Sequence, residues 1–192
     1  MFFGIGTEHI LDWQNGYDHI LFVVALCAVY VTSDWKQVLI LVTAFTIGHS
    51  ITLALATLRI VSFNTNLIEF LIPLTILVTA IANLFQKEDR IYERNIHLNY
   101  LFASFFGLIH GLGFSNNLRD ILGDAGNIAS PLLAFNLGLE IGQIIIVGIF
   151  MALTFLAVDL TGVKRRDWKM IISSAIGGMA LILIKESAYL NS

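Results

Sequence analysis

The chain has 192 residues, of which 57% are hydrophobic and only 13% charged, against roughly 45–50% apolar residues in an ordinary soluble domain. That balance excludes a water-soluble globular protein, and a net charge of −3 with the basic residues gathered in short interruptions excludes a nucleic-acid partner. At about 20 apolar residues per bilayer crossing, the length suffices for roughly six transmembrane helices and leaves no room for a separate catalytic domain.

The expected fold is therefore all-α: a polytopic membrane helix bundle forming one integral membrane domain over residues 1–192. Its spans are read at about 17–31, 37–60, 65–86, 98–118, 131–158 and 168–189. The start, Met1-Phe2-Phe3-Gly4, lacks the basic region of a secretory signal, and no cleavage pattern follows the first apolar run, so the N-terminus is read as mature. The first span is unusually polar. His9, Asp12, Gly16 and His19 recur at helical spacing, so helical or re-entrant structure could begin as early as Glu8. Cys27, the single cysteine, lies in an apolar run and reads as a small buried hydrophobe, with no intramolecular disulfide available to it.

The second span carries Gly48-His49-Ser50, and the third carries Glu69 followed by Pro73, which should kink the helix, with Thr75 and Thr79 available to satisfy freed carbonyls. In the fourth, Gly107-Leu108-Ile109-His110-Gly111-Leu112-Gly113 sets small residues around His110, which allows either close helix approach or local unwinding. In the fifth, Asn136, Glu140 and Gln143 fall at i, i+4 and i+7, one helix face that should point into the bundle. The interruptions are Thr32–Lys36, Val61–Asn64, the charged stretch Lys87–Arg94, the polar loop Leu122–Ser130, and Thr161–Asp167. His97, beside the charged stretch, reads as a solvated loop residue.

Lys and Arg favour cytoplasmic loops. Lys36, Lys87, Arg90, Arg94, Lys164, Arg165, Arg166 and Lys169 fall on one side of the expected topology, against Arg59, Arg119 and Lys185 on the other. Both termini are therefore expected outside the cytoplasm, in a multi-pass protein of the cell membrane, the bacterial inner membrane being expected.

An ionisable residue at the centre of a bilayer costs on the order of 2.5–3.5 kcal/mol even on lenient scales, so its presence points to function. His9, Asp12, Asp18, His19, His49, Glu69, His110 and Glu140 lie within the expected spans or at their outer edges. On the expected topology they converge on the outer half of the bundle, which implies a polar cavity open to the exterior. Imidazoles and carboxylates together suit nickel, cobalt, zinc or copper(II), whereas the lack of thiolates or clustered methionines argues against copper(I) or an iron–sulfur cluster. The alternative is that each polar side chain merely hydrogen-bonds a neighbouring helix. For a lone histidine that alternative is the ordinary one; for four histidines with carboxylates at one depth, a metal is the better account.

These residues resemble the HupE/UreJ-type membrane proteins, regarded as nickel or cobalt permeases associated with hydrogenase and urease maturation. The resemblance rests on Gly16-Tyr17-Asp18-His19-Ile20-Leu21-Phe22, Phe45-Thr46-Ile47-Gly48-His49-Ser50-Ile51-Thr52-Leu53, Gly107-Leu108-Ile109-His110-Gly111-Leu112-Gly113-Phe114 and Ala134-Phe135-Asn136-Leu137-Gly138-Leu139-Glu140-Ile141-Gly142-Gln143. These four motifs span most of the chain. The best-known branch has a His-Pro near its Asp-His element; here His9 precedes Asp18 with no His-Pro, so the chain looks like a second, divergent branch. The resemblance implies Asp18, His19, His49, His110 and Glu140 as metal-handling positions, and position in the sequence adds His9.

The leading expectation is a permease or binding protein for a divalent transition metal ion, nickel, cobalt or zinc. No Gly-Lys-Ser/Thr phosphate loop is present to bind ATP. An intramembrane zinc-dependent hydrolase acting on lipid or peptide is the alternative, with Glu140 as general base and Ser50 as helper, although His-Glu-x-x-His and Gly-x-Ser-x-Gly are both missing. A third reading is a non-transporting accessory of metalloenzyme maturation. Expected partners are the bilayer, the metal ion, and either a second copy of the chain or a metal-delivery protein.

Overall fold

The computed structural model describes residues 1–13, 16–86, 96–122 and 128–190. Among them the chain is helical, with no strand. The helices are α1 (Phe2–Leu11), α2 (Tyr17–Cys27), α3 (Trp35–Thr57) preceded by a 3-10 turn at Thr32–Asp34, α4 (Thr65–Phe85), α5 (Ile96–Leu122), α6 (Ala129–Thr154) running on into a π-helical turn at Phe155–Leu160, and α7 (Arg165–Glu186). Four segments are long and apolar enough to cross a membrane: Thr32–Thr57, Thr65–Phe85, Ala129–Leu160 and Arg165–Glu186. Their outward faces carry exposed Ile40, Ile47, Ile141, Ile149, Ile171 and Ile182. In water such a surface would be an aggregation site; against acyl chains it is what a membrane helix requires. The protein is a multi-pass membrane protein.

Two elements differ from the sequence expectation near the N-terminus. The span expected at 17–31 is only the 11-residue α2, about 16 Å long, half a bilayer. Ahead of it stands α1, a 10-residue helix that sequence periodicity did not separate out. His97 lies in the first turn of α5 rather than in a loop, with its side chain outside the described ones. The charged stretch Lys87–Arg94 and most of the Leu122–Ser130 loop lie outside the described residues; Ala129 and Ser130 open α6.

Helix α4 is capped by Asn64, whose side chain accepts the Leu67 N–H at 3.3 Å, and it passes through Pro73 as far as Phe85. The proline deprives the Glu69 carbonyl of its helical donor. Thr75 and Thr79 do not compensate there: their hydroxyls donate to the Ile72 and Thr75 carbonyls, at 2.7 and 2.8 Å.

Tertiary packing is organised by backbone contact. The most extensive helix pair is α3 with α5, followed by α1 with α6 and α4 with α7, and α2 touches α3, α4, α6 and α7 from inside the bundle. In the α3–α5 seam, a Cβ on Gly48 would collide with the Ser104 carbonyl, one on Gly107 with the Phe45 carbonyl, and one on Gly111 with the His49 carbonyl. The α1–α6 seam repeats the device: Gly6 meets the Phe135 carbonyl, Gly138 the Phe3 carbonyl, and Gly142 the side chain of Ile10. Between membrane helices the hydrophobic effect contributes little, so close van der Waals approach through small residues carries association. Helix α5 remains continuous through Gly107, Gly111 and Gly113, so these glycines serve close approach and not unwinding.

At the end of the bundle where α2 and α6 finish, Arg165 Nη2 donates to the Val29 carbonyl at 2.8 Å and lies 3.7 Å from Asp34, while Lys169 Nζ donates to the Gln86 carbonyl at 2.5 Å. Arg165 and Lys169 thus tie the start of α7 to the ends of α2 and α4.

Gly48→Val should lower the thermal unfolding midpoint in detergent, with an overpacking cost of roughly 1–3 kcal/mol. Gly178→Val, where an added Cβ meets nothing within 4 Å, should leave that midpoint unchanged. Equal melting of the two variants would refute the backbone-contact account.

Candidate metal centre

Four helices each deliver one imidazole to a common point. His9 stands in the last turn of α1 and His19 in the first turn of α2, on either side of the break that replaces a continuous first span. His49 lies in α3 and His110 in α5, and the glycine seam brings these two helices together: Gly107 and Gly111 rest against the backbone of Phe45 and His49. Ring centroids are 4.6 Å apart for His9 and His19, 5.1 Å for His19 and His110, 5.9 Å for His19 and His49, and 6.2 Å for His9 and His49.

Two overlapping triads result, His9 with His19 and His49, and Asp18 with His19 and His110; within each, one ligand atom per residue lies within 4.8 Å of the others. Two donors on one zinc-like ion stand at most about 4 Å apart, so closing either triad takes only small side-chain movements. His19 belongs to both. Its Nδ1 lies 2.8 Å from Asp18 Oδ1, a pairing that fixes the ring and leaves Nε2 available to a ligand. His110 Nε2 lies 3.3 Å from the Thr75 hydroxyl, which orients that ring in the same way.

The decisive feature is what these rings lack. Among the described residues, His9 Nε2, His19 Nε2, both ring nitrogens of His49 and Nδ1 of His110 are buried without a hydrogen-bond partner. A buried polar atom left unpaired costs about 1–3 kcal/mol, so several in one place call for an occupant. Phe114 stacks on His9 at 3.9 Å, and Phe22 and Phe45 flank His110 at 4.9 and 5.3 Å, which keeps the rings rigid and the site otherwise apolar.

Above the cluster, a cavity of about 1000 Å³ opens at the end of the bundle where α4 begins and α5 ends. His9, His19 and His110 reach into it, and Glu8, Asp12, Asp18, Glu69 and Asp120 line it. Carboxylates in a low-dielectric cleft focus a negative potential and concentrate cations at its floor.

The family described as HupE / UreJ protein matches residues 1–187. The chain belongs to the HupE/UreJ family. That family consists of membrane proteins associated with nickel and cobalt transport. No curated protein and no solved structure matches the chain.

Of the six candidate ligands, this HupE/UreJ chain brings together His9, Asp18, His19, His49 and His110. Glu140 stands apart: its Oε1 accepts the Thr43 hydroxyl at 2.7 Å, and one turn further on Gln143 Oε1 accepts the Thr46 hydroxyl at 2.7 Å, so these two residues of α6 are engaged with α3. Sequence reasoning did not single out Thr43 and Thr46, or Glu8 and Asp120 in the cavity wall. Thr75 was noted only as a helix-internal donor, and nothing in its spacing signalled contact with His110.

His19→Ala should abolish binding of nickel or zinc to the purified protein, since it breaks both triads. His49→Ala and His110→Ala should each weaken binding while leaving the melting point within a few degrees. Thr75→Val, which frees the His110 ring, should cost roughly 10–100-fold in affinity, as loss of an orienting partner does elsewhere. Isothermal titration and elemental analysis read all four, and full stoichiometry in His19→Ala would rule the cluster out.

Proposed function

We propose that the protein is a permease for a divalent transition metal ion, nickel, cobalt or zinc, and that the four-histidine cluster is its substrate site. The observation that carries this reading is the set of buried, unpartnered imidazole nitrogens beneath an acidic cavity. A hydrated cation is drawn in by the carboxylates and exchanges water for imidazole and carboxylate donors. It is then held by either triad, with His19 common to both, so that movement between the two seats never requires full release.

Six crossings with both termini outside fit this arrangement. Helices α3, α4, α5, α6 and α7 make five, and α1 with α2, about 15 and 16 Å long, make the two halves of a sixth, broken at the site itself. Discontinuous helices that meet at a binding site near the midplane are a recurrent device of secondary transporters. The shared basic end formed by Arg165 and Lys169 would then face the cytoplasm, and the acidic cavity the exterior of a bacterial inner membrane.

The hydrolase alternative draws less support. The Ser50 hydroxyl donates to the Thr46 carbonyl at 2.7 Å within its own helix, and neither Ser50 nor Glu140 is among the cavity-lining residues, so neither the helper nor the base that reading names faces the cavity.

Proteoliposomes bearing the wild-type protein should take up nickel, cobalt or zinc in a saturable manner, and His19→Ala should reduce uptake to the level of empty vesicles. Tight binding with no flux would defeat the permease reading and favour a binding or accessory role.

A further inference from the structure

The cavity above the histidines opens at one end of the bundle only, whereas a permease must release its ion at the other. Below the cluster the core closes with aromatic rings. Phe22 packs against Phe45 at 5.0 Å and against Phe106 at 5.7 Å, and both Phe22 and Phe45 are fully buried. Beyond this barrier lies a second cavity, of about 350 Å³, at the opposite end of α4 and α5, bordered by Tyr30, Thr79, Asn83, Asn99, Phe102 and Phe106.

One face of α4 runs from the histidine cluster to the second cavity. Thr75, Thr79 and Asn83 recur at every fourth residue on one face, and all three are buried in a helix whose other buried residues include Ile68, Ile72, Ile76 and Ala80. The stripe begins at the metal centre, where Thr75 Oγ1 lies 3.3 Å from His110 Nε2. It ends in the second cavity, where Thr79 and Asn83 form part of the wall. Asn83 Nδ2 donates to the Ala25 carbonyl at 2.7 Å, and across the same cavity Asn99 Nδ2 reaches the Tyr30 hydroxyl at 3.5 Å. The hydroxyls of Thr75 and Thr79 donate to carbonyls of their own helix, which leaves oxygen lone pairs on each to accept or coordinate.

We propose, on the strength of the permease reading, that Thr75, Thr79 and Asn83 form the exit path of the ion, carrying it from His110 past the Phe22–Phe106 pair into the second cavity. Hydroxyl and amide oxygens hold a borderline divalent ion less firmly than imidazole does, which suits a path of release and not of capture. Movement of Phe22 or Phe106 opens the path, and with the two rings packed together it is closed.

The test uses the full-length protein in proteoliposomes with nickel as the transported probe, comparing wild type with Thr79→Val and Asn83→Leu. Both variants should bind nickel with wild-type stoichiometry, because neither touches a triad, and both should lose flux about tenfold, the effect of raising a barrier by ~1.4 kcal/mol. Thr79→Val is the sharper probe, since it keeps side-chain shape and removes only a hydroxyl bonded within its own helix. Asn83→Leu also removes the bond to Ala25, so its melting point is measured alongside, and Thr79→Val decides if it unfolds. Normal flux in Thr79→Val beside an active wild type overturns the exit path alone. A wild type that binds nickel and moves none overturns the permease reading, and the path with it.

Discussion

The arrangement depends on helix backbones that touch. In a bilayer apolar side chains gain little by leaving lipid, so two helices hold together through close dispersion contact, and glycine permits the closest. Gly48, Gly107 and Gly111 let α3 and α5 meet carbonyl against Cα, Gly6 and Gly138 do the same for α1 and α6, and Gly142 admits the Ile10 side chain. These seams have a chemical consequence: one joins the helices that carry His49 and His110, and the other anchors the short helix that carries His9.

The break between α1 and α2 supplies the rest. A single continuous helix would set His9 and His19 ten residues apart, about 15 Å along the axis. Interrupting the helix brings their rings to 4.6 Å. The same interruption frees the first turn of α2 to place Asp18 against His19 and the end of α1 to stack His9 on Phe114. Asp12 and Gly16, which flank the break, line the acidic cavity. Packing, chain break and ligand geometry are thus one problem solved at one place.

The bundle is also asymmetric from end to end. Around the upper cavity stand carboxylates and imidazoles; around the lower stand phenylalanines, two asparagines, a threonine and a tyrosine. Imidazole and carboxylate bind a borderline divalent ion more firmly than hydroxyl and amide oxygens do, so the two ends differ in donor strength. An aromatic layer, Phe22 packed on Phe45 and Phe106, separates them.

The membrane class, the helical content and the identity of the residues worth suspecting were legible in the amino-acid sequence, because hydropathy and the cost of charge in lipid act on each residue independently of its neighbours in space. The glycines were visible too, but spacing alone left both close approach and unwinding open, and only the meeting of two helices resolved that. Helix α1 escaped notice because ten residues with a glutamate and a histidine do not look like a span; its helicity comes from docking on α6. Glu140 and His9 show the limit most clearly. Both are ionisable residues in apolar surroundings, equally eligible by sequence, yet Glu140 turns to Thr43 and His9 to His19. Which polar groups share a point in space is a property of how helices cross, and tertiary structure alone decides it.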